Sequence, residues 1–166
     1  PTAELAAYIV TTHHGFLWRE MPRLYAMSQR VAQVHGGHTP SLLEMFDVFD
    51  KLQEEMAEHM MKEENVLFPA ITALSRGETL FGSLDGPITC MMHEHEDAGA
   101  AVARLRELSH GFEPPADACN TYRALFAGLR EMEEDLHRHI HLENAVLFPA
   151  ARAMMERGTK AEPAAV

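Results

Sequence analysis

At 166 residues the chain fits one domain with room for a substantial core, and 46% hydrophobic with 23% charged residues is an ordinary globular composition. A net charge of −11 with no basic stripe argues against nucleic acid and anionic membrane surfaces as partners. No apolar run reaches the ~18–20 residues that span a bilayer, no basic-then-apolar leader pattern is present, and Cys90 and Cys119 form no CxxC, so a reducing cytoplasm is the expected location.

Glycine and proline cluster at a few places only: Gly36-Gly37-His38-Thr39-Pro40, Arg76-Gly77 with Gly82 to Pro87, Gly111 to Pro115, and Gly158. Between them lie four segments poor in β-branched residues, which predict helices at about 3–34, 41–75, 87–109 and 117–156. Ser41 is the expected N-cap of the second, and Pro69 and Pro149 predict a kink or early end in the second and fourth. Residues 1–157 read as one domain and 158–166 as a flexible tail.

Each segment carries an apolar seam with alternating steps of three and four. The first runs His14, Leu17, Met21, Leu24, Ser28, Val31; the third runs Ile88, Met91, His95, Ala98, Val102, Leu105. The second runs Phe49, Leu52, Met56, His59, Glu63, Val66, Ala70, and the fourth ends Leu136, His139, Glu143, Val146, Ala150. Histidine and glutamate therefore interrupt stripes that are otherwise apolar, where burying them alone would be costly.

An internal repeat locates the site. His59-Met-Met-Lys-Glu63 followed by Val66-Leu67-Phe68-Pro69-Ala70 recurs as His139-Ile-His-Leu-Glu143 followed by Val146-Leu147-Phe148-Pro149-Ala150, offset by 80, while His14 and His95 are offset by 81. The chain reads as an all-α, up-down-up-down four-helix bundle built from two pseudo-repeated helical hairpins. The midpoint between His14 and His59 falls at Gly36-Gly37, and that between His95 and His139 at Asp117, so all six side chains are expected in one layer. In HxxxE the i,i+4 spacing sets imidazole and carboxylate on one helix face.

Four imidazoles, two carboxylates and no thiolate suit iron, manganese or zinc. Two carboxylates among four histidines favour a metal pair bridged by Glu63 and Glu143 with two histidines each. A bridging oxide or hydroxide would then leave a labile position for a diatomic ligand.

The pattern of His14, His59-x-x-x-Glu63, His95 and His139-x-x-x-Glu143 resembles the haemerythrin-like family. The phrases Arg19-Glu20-Met21-Pro22-Arg23-Leu24, Val34-His35-Gly36, Glu94-His95-Glu96-Asp97 and Leu142-Glu143-Asn144 are similar to the repair-of-iron-centres proteins. The resemblance implies a di-iron protein of nitrosative and oxidative stress defence. Such a protein would hold two non-haem irons, oxo- or hydroxo-bridged, bind nitric oxide or oxygen, and pass iron to iron–sulfur proteins. Oxygen-carrying haemerythrins have a further histidine on the third helix. Met91 and Gly99 stand one turn from His95 here, which points away from an oxygen carrier or sensor and toward more labile iron. A di-iron reductase acting on nitric oxide, oxygen or peroxide is the other alternative. The family also commonly carries a small N-terminal domain with an adjacent cysteine pair, which this sequence does not contain.

His35 matches a recurrent family position, but roughly 31 Å of helix separates it from His14, so it is read as a turn residue rather than a fifth ligand. His13, His93, His137 and His141 fall off the seams and are read as solvated, or else as groups that support a ligand from behind. The ExxH strings at Glu107 and Glu134 are misplaced for a ferritin-type site. Glu55 and Glu94 resemble family acids near the metal pocket, although each also reads as an ordinary surface acid, and the methionines are read as core filler.

Overall fold

The computed structural model describes residues 2–78, 80 and 82–161. Among these residues there are four long helices and no strand, the helices covering 2–35, 41–75, 85–108 and 120–161. The second begins at Ser41 after Pro40, with no side-chain cap bond, so Ser41 is the first helical residue and not the expected cap. The fourth extends beyond its expected end at 156 to Ala161, and residues 162–166 of the expected tail lie outside the described residues.

Three helices each contain one widened turn with π-type geometry: Val10–His14, Glu63–Leu67 and Glu143–Leu147. The last two immediately precede Pro69 and Pro149, and both helices continue past the prolines. A proline has no N–H to donate and its ring presses on the carbonyl four residues back. The widened turn accommodates both demands, so neither proline ends its helix.

The extra residue per widened turn changes the seam. Leu67, Phe68 and Ile71 are buried, whereas Val66 is 64% exposed; Leu147, Phe148 and Ala151 are buried, whereas Val146 is 45% exposed. The expected continuation of the seam through Val66 and Val146 is therefore one residue out of phase, and Ala70 and Ala150 are only half-buried. The remaining seam residues, including all six expected in the first helix and all six in the third, are buried.

Two apolar clusters result. One contains Leu17, Leu24, Phe49, Leu52, Met56, Val102, Leu125 and Leu136, toward the 36–40 and 109–119 connections. The other contains Ala6, Ile9, Leu67, Phe68, Ile88, Met91, Leu147 and Phe148. Along every helix the switch from one cluster to the other occurs at His14, Glu63, His95 or His139–Glu143, so the polar layer is sandwiched between two apolar ones. Close approach at Gly128 helps bring the first and fourth helices together, since a Cβ there would meet Leu24 Cδ2 at 2.6 Å.

Among the described residues, no helix is long and apolar enough to cross a membrane.

Candidate metal centre

The structure brings His14, His59, Glu63, His95, His139 and Glu143 together, all buried, with both carboxylates 0% exposed. They form two four-donor groups. His14, Glu63, His139 and Glu143 make one; His59, Glu63, His95 and Glu143 make the other, with one ligand atom from each residue of a group lying within 4.8 Å of the rest. Each carboxylate belongs to both groups.

The donor atoms crowd closely. His14 Nε2 is 3.2 Å from His139 Nε2, and His95 Nε2 is 3.1 Å from His59 Nε2. Glu63 Oε2 lies 3.3 Å from His14 Nε2 and 3.4 Å from His59 Nε2. Glu143 Oε1 lies 2.9 Å from His139 Nε2, and its Oε2 lies 2.9 Å from His95 Nε2. Bonds of about 2.0–2.2 Å from one first-row metal set neighbouring octahedral ligands about 3 Å apart, which matches this spacing. Both oxygens of Glu63 and Oε2 of Glu143 are buried without a well-aligned hydrogen bond. Close approach without donor geometry is what carboxylates shaped for a cation would show, and the nitrogen–oxygen donor set fits non-haem iron.

Without a cation, protons must offset the two buried carboxylates. Burial works against a charged His14, but Glu63, Glu143 and Glu64 outweigh it and raise its pKa above the ordinary value. Burial likewise opposes a charged His59, yet Glu63, Glu94 and Glu143 push its pKa up to about 9. For Glu143, burial favours the neutral acid, and His139 and His95 overcome this to hold the carboxyl well below the usual range.

A surrounding set of acceptors aims the rings. His14 Nδ1 donates to Glu64 Oε1 at 2.9 Å, and Trp18 Nε1 donates to the same oxygen at 3.1 Å. His59 Nδ1 donates to Glu94 Oε2 at 2.8 Å, while Lys62 holds the other Glu94 oxygen at 2.6 Å. His95 Nδ1 donates to Asn144 Oδ1 at 2.9 Å. These bonds orient each Nε2 inward and make it a better donor to metal. Despite its burial, Glu94 keeps a lowered pKa because Lys62 and His59 favour its anion.

Of the two acids that resemble family residues, Glu94 touches His59, whereas Glu55 does not touch the donors: its carboxylate pairs with Lys51 at 3.3 Å. Glu55 does line a cavity of about 280 Å³ beside His59, together with Glu58, Lys62, Glu94 and Asp97. Its acidic walls would concentrate cations next to the donors. A larger cavity of about 950 Å³, lined by Leu74, Leu80, Met154 and Met155, does not reach them.

For His13 the solvent reading fails and the alternative holds: it is 3% exposed, its ring stacks on His139, and its Nδ1 donates to Asp135 Oδ1 at 2.9 Å. His13 and His14 both lie in the widened turn at Val10–His14, and both are buried there. His93, His137 and His141 are exposed, as expected. His35 lies at the far end, with Nε2 at 3.4 Å from Cys119 Sγ and its ring 5.4 Å from that of Tyr122. Sequence reasoning assigned no role to Glu64 or Asn144, although the repeat sets each directly after a site glutamate.

The chain is similar to known proteins. Residues 5–151 match the haemerythrin HHE cation-binding domain. The chain is 44% identical over 151 residues to the iron–sulfur cluster repair protein YtfE of Edwardsiella ictaluri, and 40% identical over 151 residues to that of Pectobacterium carotovorum. In both comparisons 91% of this chain is matched, but it spans only 66% of the relative's length. To the iron–sulfur cluster repair protein DnrN of Neisseria gonorrhoeae it is 38% identical over 149 residues, covering 89% of this chain and 90% of that protein. With the family match spanning most of its length and the HxxxE pairs buried in register, this chain belongs to the haemerythrin HHE cation-binding family.

Proposed function

We propose that this chain is a non-haem di-iron protein of nitrosative and oxidative stress defence that supplies iron for the repair of damaged iron–sulfur clusters. In this reading His14 and His139 would hold one iron and His59 and His95 the other, with Glu63 and Glu143 shared between them. One observation carries it: both buried carboxylates belong to both four-donor groups. The names of the relatives support the repair role. Equal spacing of His14 and His59, and of His95 and His139, from their connections supports an up-down-up-down bundle, and the two free cysteines, Cys90 and Cys119, are consistent with a cytoplasmic setting.

Iron at such a centre supplies a ferrous–ferric couple and labile positions for a small ligand, for which nitric oxide is the proposed occupant. The residues do the rest. Glu64, Glu94 and Asn144 hold three of the rings in their tautomers, the two apolar clusters keep bulk water from the layer, and the acid-lined cavity beside His59 draws cations. An apo iron–sulfur protein is the proposed acceptor.

The test is metal analysis with Mössbauer and visible spectra of the reduced protein before and after nitric oxide, followed by iron transfer to an apo iron–sulfur protein. Two irons per chain, a nitrosyl spectrum and transfer within minutes to hours are expected. One tightly held zinc at full occupancy, or a reversible oxygen adduct lasting hours, would overturn the reading.

A further inference from the structure

The repeat that carries His14 onto His95 and Glu63 onto Glu143 also carries Glu64 onto Asn144 and His13 onto Glu94. Three of these four neighbours do the same work: Glu64, Asn144 and Glu94 accept from Nδ1 of His14, His95 and His59. The fourth ring, His139, should by symmetry be served by the residue at position 13. That residue is an imidazole. It stacks on His139 with centroids 5.4 Å apart and planes 7° from parallel, and its own Nδ1 is spent on Asp135. His139 Nδ1 is buried with no hydrogen-bond partner.

An acceptor at Nδ1 fixes the ring and strengthens Nε2 as a ligand, and losing one commonly costs about 10–100-fold in metal affinity. Stacking restrains the plane of His139 but supplies no acceptor. The opposite half has no such gap: His59 and His95 both have acceptors, and Lys62 clamps Glu94 at 2.6 Å.

We infer that the centre is built unequal, with the His14/His139 position the readily surrendered one and His13 the positioning residue that makes it so. This rests on the di-iron reading above and deepens it: of two irons, one is cargo and the other keeps the layer in place. Release of the first leaves His59, His95 and both carboxylates still holding a cation between the two apolar clusters.

The experiment follows iron leaving the reduced, fully loaded chain into excess ferrozine without oxygen. Wild type is expected to release one iron per chain in a fast phase and one in a phase about tenfold slower or more. His13→Gln presents an amide oxygen to His139 and an amide N–H to Asp135, adding no charge; the Asn144 amide already does the first task for His95. In that variant the fast phase is expected to slow about tenfold and merge with the slow one, and two equal ferrous Mössbauer doublets should converge. Glu94→Ala makes the converse test by removing the His59 acceptor, and its slow phase should rise to the fast rate. If His13→Gln does not fold, the Glu94→Ala result decides alone. Two irons leaving wild type in one phase, or two phases unmoved by either variant, overturns the inference and leaves the di-iron reading standing. Fewer than two irons bound by wild type overturns both.

Discussion

Nε2 of His14 and Nε2 of His139 face one another at 3.2 Å, two ring nitrogens that can share at most one proton. His59 and His95 repeat the arrangement at 3.1 Å, and both carboxylates press in beside the nitrogens. Such a cluster is satisfied by a cation far better than by hydrogen bonds. Metal-loaded protein should therefore be the more stable form: at free metal near 1,000 times Kd the gain is about 4 kcal/mol. For a domain of this size that is roughly 8–16 °C in Tm. Calorimetry before and after chelation measures it, and equal melting temperatures would contradict the assignment.

Because Glu63 and Glu143 each belong to both donor groups, neither can be lost without affecting both groups. Glu63→Ala and Glu143→Ala should each reduce iron from two to one or fewer per chain and abolish the binuclear spectrum. His35→Ala, at the far end beside Cys119 and Tyr122, should keep two irons. Metal analysis on the three purified variants separates these outcomes. A Glu63→Ala protein retaining both irons would refute the bridging role.

The register shift after Glu63 has a stability signature. Leu67 is buried against the Phe68 and Phe148 side of the core while Val66 is mostly exposed. Leu67→Ala should cost about 2–5 kcal/mol. Val66→Ala should stay within about 0.5 kcal/mol of wild type. Urea midpoints on the metal-loaded chain provide the comparison, and the reverse order would mean a regular helix through Glu63.

Far from the centre, Arg106 pairs with the buried Glu133 through two nitrogens, one contact being 2.8 Å from Nε to Oε1. Arg106 holds the Glu133 carboxyl below its ordinary value against the opposing effect of burial. A carboxyl depressed in the folded state adds stability above its unfolded pKa of 4.5 and loses it as pH falls through the folded value. Glu133→Gln should therefore be less stable than wild type at neutral pH, with the gap closing below pH 4.5. Denaturant midpoints across the acid range check the sign; a gap that widens on acidification would show that the ion pair is not its source.

The buried six-residue cluster was legible from the sequence because it has a period and a repeat. His14, His59, Glu63, His95, His139 and Glu143 interrupt apolar seams at helical spacing, and two copies offset by 80 residues align them. Helix positions followed from the same periodicity and from glycine and proline punctuation, which act locally. Val66, Val146 and His13 were misplaced for a shared reason: a period of 3.6 does not foresee a widened turn, and each lies within one.

Amino-acid order alone thus determined four amphipathic segments and six polar residues that could not be buried singly, since both depend on spacing within a helix. Only tertiary structure decided which groups complete those six. Glu64, Glu94 and Asn144 reach histidines 35 to 50 residues distant in the chain, and His13 turns to Asp135 instead of serving His139. A hydrogen bond needs two groups within about 3 Å at a workable angle, and helix packing alone sets that distance between residues so far apart in sequence.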